Sequence, residues 1–189
     1  MDKVVIDIET KNTFSDVGGK QFLNKLDVSF VGVYSYSKDA YFSFFENQMK
    51  ELDDFLRQAG LVIGFSINRF DVPILNKYLT FDLFSVPRVD ILDEIEMKIG
   101  RRISLDILAH TNVGFGKTSH GLEAVRFYRE GLLKELESYC LNDVKVTKEV
   151  YDLARRQKYL LVPDRITGNN EKVELDFYEG EMIMKQSLF

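Results

Sequence analysis

Two carboxylates stand close together near the start of the chain, in the segment Asp7-Ile8-Glu9-Thr10. The β-rich apolar run before them predicts a buried first strand over Lys3 to Ile8. Side chains two residues apart point to the same face of a strand, so Asp7 and Glu9 project together at its end. Two like charges about 4 Å apart repel by about 4 kcal/mol at an effective dielectric constant of 20. A divalent cation that prefers oxygen ligands, Mg²⁺ or Mn²⁺, would remove that cost; the alternative is a solvated strand end.

A second acidic segment lies in mid-chain and reads Gly-Phe-Ser-Ile-Asn-Arg-Phe-Asp over residues 64–71. Leu61 to Phe65 predicts a strand, and the spacing of Phe70, Ile74 and Tyr78 predicts a helix that follows it. Asp71 then falls in the first turn of that helix. The helix dipole favours an acid at this point, so in isolation Asp71 is explained as a helix-start acid and Asn68 as a helix cap.

A third segment, Tyr139-Cys140-Leu141-Asn142-Asp143, lies on a long helix predicted over Leu132 to Tyr159. Residues i and i+4 share one face of a helix, so Tyr139 and Asp143 present a phenol and a carboxylate in the same direction. In isolation this pair is equally explained as a half-exposed tyrosine and a surface acid.

Taken in order, the three segments resemble the motifs of the DEDD superfamily of 3′–5′ exonucleases, which have a ribonuclease H-like fold. Asp7 and Glu9 match the first motif, D-x-E. The run 68–71 matches the second, an asparagine followed closely by an aromatic residue and aspartate. Tyr139 and Asp143 match the third, Y-x-x-x-D.

The third motif also indicates the branch of that superfamily. The sister subfamily carries a histidine five residues before the last aspartate, and Ser138 holds that place here. The chain therefore resembles the tyrosine (DEDDy) branch, and it is similar to the exonuclease domains of family B polymerases and to YprB-type nuclease domains. The resemblance covers about residues 3–157.

The resemblance implies a catalytic site with two divalent cations, Mg²⁺ or Mn²⁺, and in-line attack of water on a terminal phosphodiester. Asp7 would bridge both ions. Glu9 and Asp143 would complete the site on the nucleophile side, and Asp71 would hold the second ion. Tyr139 would orient the attacking water, a role that suits a phenol because its ordinary pKa lies near 10.

The substrate implied is the 3′ end of single-stranded DNA or RNA, with a helicase or polymerase as a possible partner. Thr10, Asn68 and Phe70 are the expected substrate-binding residues, with Phe70 stacking on the terminal base. Core packing is the alternative explanation for Phe70. The candidate basic residues for phosphate are Lys117, Arg101, Arg102, Arg155 and Arg156.

Two other functions are compatible with the same motifs. One is a non-catalytic ribonuclease H-like module that binds nucleic acid or a partner protein. The other is an endonuclease of the same fold, which would cleave a covalently closed circle. The choice between DNA and RNA depends on the shape of the pocket around the 2′-hydroxyl, so the motifs leave it open.

The elements that must position these motifs follow the order β, β, β, α, β, α, β and then helices. This order predicts an α/β fold with a ribonuclease H-like mixed sheet of about five strands, flanked by helices, with the first three strands antiparallel. The remaining strands are predicted over Ser29 to Tyr36, Tyr41 to Phe45 and Val86 to Ile91, one helix over Glu46 to Ala59, and a loop over 11–27. We expect a nuclease domain over residues 1–160 and a C-terminal hairpin or tail over residues 161–189.

The composition limits the remaining classes. The chain has 189 residues, of which 45% are hydrophobic and 29% charged, which is typical of one globular domain. The net charge of −5 disfavours sequence-independent coating of nucleic acid. A single cysteine, Cys140, indicates a reducing compartment. The sequence has no apolar run near the ~18 residues of a membrane span, and early acids argue against secretion, so we expect a cytoplasmic protein without membrane contact.

Overall fold

The computed structural model describes residues 1–116, 122–164 and 167–177. Five strands form one mixed sheet in the order β3-β2-β1-β4-β5. The strands β1, β2 and β3 are antiparallel neighbours, whereas β4 is parallel to both β1 and β5. Their bounds are Asp2–Thr10 for β1, Val28–Ser35 for β2, Ala40–Phe45 for β3, Ala59–Gly64 for β4 and Arg88–Asp90 for β5. This confirms the predicted α/β fold class with its antiparallel first three strands.

Helices cover both faces of the sheet. The α-helices are α1 Phe14–Val17, α2 Met49–Leu56, α3 Asp71–Leu75, α4 Ile91–Ile99, α5 Leu105–Val113, α6 Leu122–Arg129 and α7 Leu133–Gln157. Short 3₁₀ segments cover Lys20–Lys25, Glu46–Gln48 and Leu83–Ser85. Among the described residues, no helix combines the length and the apolar character that crossing a membrane requires.

The central strand β1 packs against different helices on its two faces. Val5 belongs to the core cluster that contains α5 and α7 side chains, whereas Val4 and Ile6 belong to the cluster that contains α2 and α3 side chains. Because side chains alternate along a strand, Asp7 and Glu9 continue the face of Val5. The two carboxylates therefore point to the side of the sheet that α7 covers.

Three predicted boundaries were wrong in a way that matters for the site. The strand β1 extends to Thr10, so Asp7 and Glu9 both lie within the strand. The predicted loop 11–27 contains the short helix α1, because Thr13 and Asp16 form a reciprocal capping box at its start. The predicted helix over 68–78 is reduced to α3, and the segment before it is held by long-range hydrogen bonds instead.

Two other differences concern the helices. The single helix predicted over 46–59 is a 3₁₀ turn followed by α2, and Ala59 already belongs to β4. The helix α7 is continuous from Leu133 to Gln157, two residues shorter at its end than the predicted Leu132 to Tyr159.

An antiparallel hairpin follows α7 and is formed by β6 Tyr159–Pro163 and β7 Asn170–Glu174. Leu160, Val162 and Val173 are buried in the same core cluster as the α5 and α7 side chains. The division of the chain at residue 160 stays a prediction, and residues 165–166 and 178–189 of the expected tail lie outside the described residues.

Gly32 allows α7 to approach the sheet beside the acidic strand. It is paired with Asp7 in the β1–β2 register. A Cβ atom added at this position would lie 2.9 Å from Val144 Cγ2 and 3.2 Å from Cys140 Sγ. Both contacts belong to the α7 segment that carries the third motif, so the missing side chain sets the distance between that motif and β1.

We predict that Gly32→Ala pushes α7 away from β2 and destabilises the protein by about 1–3 kcal/mol, the range for overpacking a close contact. Cys140, which is fully buried, should then react faster with a thiol reagent. Gly131→Ala is the control: its φ of +72° makes it unfavourable, but among the described residues no atom lies within 4 Å of the added Cβ. Equal thiol reactivity in the two variants would contradict this packing role.

Candidate active site

A cavity of about 490 Å³ opens at the carboxyl end of β1. It is lined by Asp7, Ile8, Glu9, Thr10, Asn12, Thr13, Phe14, Leu26, Phe65, Ser66, Phe70, Asp71, Leu122, Val125 and Tyr139. The parallel pairing of β1 with β4 runs from Asp2 to Val5, and β1 then continues beyond it. A crevice at the carboxyl ends of parallel strands, where the sheet changes connectivity, is the usual place for a ligand in an open α/β sheet.

Asp7 and Glu9 face this cavity, and the buried thiol of Cys140 lies next to them. One ligand atom each from Asp7, Glu9 and Cys140 lies within 4.8 Å of the others, so the group could hold a metal ion. The Cys140 thiol lies 3.3 Å from the Asp7 carbonyl oxygen and 3.4 Å from Asp7 Oδ2, and donates to them. Burial, followed by the charge of Asp7, raises the pKa of Cys140 well above its usual range. The thiol therefore stays neutral, and the carboxylates are the ligands suited to a hard cation.

Asp71 reaches the same strand from the other side of the crevice. The backbone N–H of Ile8, between the two acids of β1, donates to Asp71 Oδ1 at 3.1 Å. The side chain is buried, with 5% exposure. Burial raises the pKa of Asp71 well above its usual range, and the charge of Asp7 raises it further. An ionised carboxylate at this position is costly, and a bound cation would offset that cost.

The helix α7 brings Tyr139 and Asp143 to the same end of β1. Both are buried, at 3% and 1% exposure, and Tyr139 lines the cavity. The charge of Asp143 contributes to the raised pKa of Cys140, whose thiol contacts Asp7. Asp143 is not among the described residues that line the cavity, and it lies on α7 three residues after Cys140. Asp7, Glu9 and Asp71 therefore line the same cavity, and Asp143 lies buried on the helix that packs beside it.

The expected substrate-binding residues are placed differently from one another. Thr10 and Phe70 line the cavity, and Phe70 packs edge-on against Phe14 with ring centroids 5.9 Å apart. Asn68 does not line the cavity. Its amide nitrogen donates to Asp93 Oδ2 at 2.9 Å, and its amide oxygen accepts from Arg88 Nε at 3.0 Å.

The contact of Asn68 with substrate stays a prediction, and the structure places its amide in contact with Asp93 and Arg88. The nitrogen and the oxygen of this amide are both hydrogen-bonded, and they connect the segment before α3 to α4 and β5. A residue two positions earlier, Ser66, faces the cavity instead.

Several cavity residues were missed by the motif analysis. Thr13 and Phe14 lie at the start of α1, inside the predicted loop, and the Thr13-x-x-Asp16 capping pattern could have revealed that helix. Ser66 has a φ of +68°, which no sequence pattern signals. Leu122 and Val125 come from α6, whose position depends on tertiary packing.

Among the candidate basic residues, Arg102 donates to Ser66 Oγ at 2.9 Å and so contacts the cavity wall. Arg101 donates to the carbonyl oxygen of Pro163 in the terminal hairpin. Arg155 lies over the ring of Tyr151, and Arg156 is exposed near the end of α7. Lys117 lies outside the described residues.

The model of a family described as the RNase H superfamily matches residues 4–155. That match covers most of the chain, so the protein belongs to the RNase H superfamily. A search of curated proteins found no match.

Among solved structures, the fold is similar to that of the family B DNA polymerase from the hyperthermophilic archaeon Pyrobaculum calidifontis, with a TM-score of 0.59 and 16% sequence identity. The similarity covers 82% of this chain and 24% of the polymerase, so the chain spans about a quarter of that protein's length. Together with the family match, this confirms the ribonuclease H-like fold that the motifs predicted.

We predict that Asp71→Asn stabilises the metal-free protein above neutral pH. Because the folded-state pKa of Asp71 is raised, this group stabilises the fold while it is protonated, and the contribution is lost as pH rises through that pKa. Asparagine keeps the oxygen that accepts from Ile8 without the charge. A gain of about 1 kcal/mol corresponds to a rise in Tm of about 2–4 °C for a domain of this size.

The measurement is thermal unfolding in chelator and then in Mn²⁺, with the exposed Asp54→Asn on α2 as the control. Mn²⁺ should raise the Tm of the wild type and of Asp54→Asn more than that of Asp71→Asn. An Asp71→Asn variant that is less stable than the wild type in chelator would contradict the electrostatic cost assigned to Asp71.

Proposed function

We propose that this protein is a metal-dependent 3′–5′ exonuclease of the tyrosine branch, which hydrolyses the terminal phosphodiester bonds of single-stranded DNA or RNA. One observation carries the proposal. Acids from two distant segments, Asp7 and Glu9 on β1 and Asp71 at the start of α3, line one cavity together with Tyr139, and Asp143 lies buried on α7 one helical turn after Tyr139. Membership of the RNase H superfamily and the fold shared with part of a DNA polymerase support a nuclease.

The donor set fits divalent cations, and we propose that it binds two ions of Mg²⁺ or Mn²⁺. Asp7, Glu9, Asp71 and Asp143 would hold them, and all four offer the oxygen ligands that these ions prefer. When bound, the ions lower the pKa of water and stabilise the charge that develops on the phosphate. The repulsion among the buried carboxylates supports this fit, because the raised pKa of Asp71 reflects burial and the charge of Asp7.

Tyr139 would orient the attacking water. Its hydroxyl can both donate and accept a hydrogen bond, and the residue lies in the cavity wall one helical turn before Asp143. Burial at 3% exposure fixes the ring, and Phe127 packs against it with centroids 6.4 Å apart. A fixed donor of this kind contributes by positioning the reactant.

The rest of the cavity suits a terminal nucleotide. Phe70 and Phe14 present aromatic surface on which a base can stack without regard to sequence, and Thr10 offers a hydroxyl nearby. Acids and aromatic rings both line this cavity, so it offers groups for a phosphate and groups for a base. A polymerase or a helicase stays a proposed partner.

We predict that the protein with Mg²⁺ or Mn²⁺ releases mononucleotides from the 3′ end of labelled single-stranded oligonucleotides. Asp7→Asn and Asp143→Asn should each lower kcat by a factor of about 10³ or more, in the range by which loss of one essential catalytic group reduces an enzyme's rate. The exposed Asp54→Asn is the matched control and should keep wild-type activity.

Each other candidate function has its own outcome in this assay. Cleavage of a covalently closed single-stranded circle would indicate an endonuclease. Oligonucleotide binding without hydrolysis in any divalent cation would indicate a non-catalytic module. Activity that survives both aspartate substitutions would refute the assigned site.

We predict that Phe70→Ala raises KM for oligonucleotides about tenfold or more, because stacking of one base is worth about 1–3 kcal/mol. The control is Phe84→Ala, which removes a ring that is 45% exposed and lies over Arg88, not in the cavity. Steady-state kinetics of both variants provide the measurement. An unchanged KM in Phe70→Ala would assign Phe70 to core packing alone.

A further inference from the structure

Asp90 is a buried acid that binds two separate elements at once. It ends β5, and its side chain is 3% exposed. Its Oδ1 accepts from the backbone N–H groups of Leu92 at 3.1 Å and Asp93 at 3.3 Å, which caps α4. The same Oδ1 accepts from Ser66 N at 2.8 Å, and Oδ2 accepts from Asn68 N at 2.9 Å. An ordinary helix cap accepts only from the backbone N–H groups of its own helix, so the bonds from Ser66 and Asn68 are additional.

Asp90 is hydrogen-bonded to the segment 65–70, whose backbone conformation is unfavourable without such contacts. Ser66 has a φ of +68°, a left-handed conformation that is unfavourable for a residue with a side chain. The segment also folds tightly over the end of β4, where a Cβ atom on Gly64 would lie 2.1 Å from Ile67 Cγ2. Such backbone persists only when its surroundings impose it, and it is frequent at functional sites.

This segment supplies one wall of the candidate active site. Phe65, Ser66, Phe70 and Asp71 all line the cavity. The backbone N–H of Val72 donates to the carbonyl oxygen of Ile67 at 2.9 Å, so the start of α3 is hydrogen-bonded directly to the segment 65–70. A shift of Ser66 or Asn68 would therefore move the Asp71 carboxylate relative to the Ile8 amide that it accepts from.

We propose that Asp90 is a positioning residue for the active site, and that its carboxylate sets the segment 65–71 so that Asp71 and Phe70 face the cavity. The inference rests on the proposed function for its catalytic consequence, whereas its structural part stands on the hydrogen bonds. Two oxygens that only accept are required, because N–H donors approach both of them. In an asparagine at this position, the side-chain NH₂ group would face a backbone N–H, and two donors cannot form a hydrogen bond with each other.

The decisive variant is Asp90→Asn. Three donors meet Oδ1 and one meets Oδ2, so the amide oxygen should keep the Oδ1 position and the amide nitrogen should face Asn68 N. The α4 cap is then retained and the protein should fold, while the Asn68 end of the segment is released. We expect kcat on a labelled oligonucleotide to fall about 10- to 100-fold, as for loss of a group that orients a reacting residue.

Two further measurements separate positioning from simple loss of stability. Amide hydrogen exchange at Asn68 and its neighbours should accelerate in Asp90→Asn, whereas exchange within α4 should stay at the wild-type rate. Ser104→Ala is the matched control, because it removes the cap of α5, an acceptor for Ile107 N at 3.3 Å, outside the cavity wall. It should lower stability and leave kcat unchanged.

Wild-type kcat in Asp90→Asn, or unchanged exchange over residues 65–71, would overturn the positioning role. If the wild type hydrolyses no oligonucleotide, the proposed function fails. In that case Asp90 is judged by exchange together with Mn²⁺ affinity, which should be weaker in Asp90→Asn than in Ser104→Ala. Equal Mn²⁺ affinity and equal amide exchange in Asp90→Asn and Ser104→Ala would overturn the positioning role of Asp90, whatever the function of the protein.

Discussion

Repulsion between carboxylates at the end of one strand is the constraint around which this molecule is organised. Asp7 and Glu9 share a face of β1, and Asp71 accepts a hydrogen bond from the residue between them. Burial and the charge of Asp7 make the ionised form of Asp71 costly, as its raised pKa shows. A fold that keeps such a group gives up stability in the absence of cations, a trade that is common where a site must bind metal.

The sheet topology makes this arrangement geometrically possible. The strand β1 continues past the end of its parallel register with β4, which exposes the amide of Ile8 to a side chain from α3. On the opposite face, Gly32 lets α7 approach β2 so closely that the Cys140 thiol contacts Asp7. Both faces of the sheet therefore supply groups to one strand end.

The cavity lining combines acids with aromatic rings. Asp7, Glu9 and Tyr139 come from β1 and α7, which pack against the buried clusters. Phe70 and Asp71 come from the segment before α3 and from the start of that helix, and Phe14 of α1 packs against Phe70. Asp90 holds that segment, so the placement of Phe70 and Asp71 depends on a residue outside the cavity.

The sequence alone determined the chemistry, because the acids obey local geometry: alternation along β1 pairs Asp7 with Glu9, and the i to i+4 spacing pairs Tyr139 with Asp143. The mixed sheet also followed from the order of apolar runs. Only the tertiary structure decided that Asn68 turns away from the cavity and that Ser66 faces it. Those two placements depend on hydrogen bonds that Asp90 and Asp93 accept and Arg88 donates, and these partners are 20 or more residues distant, so no local periodicity encodes them.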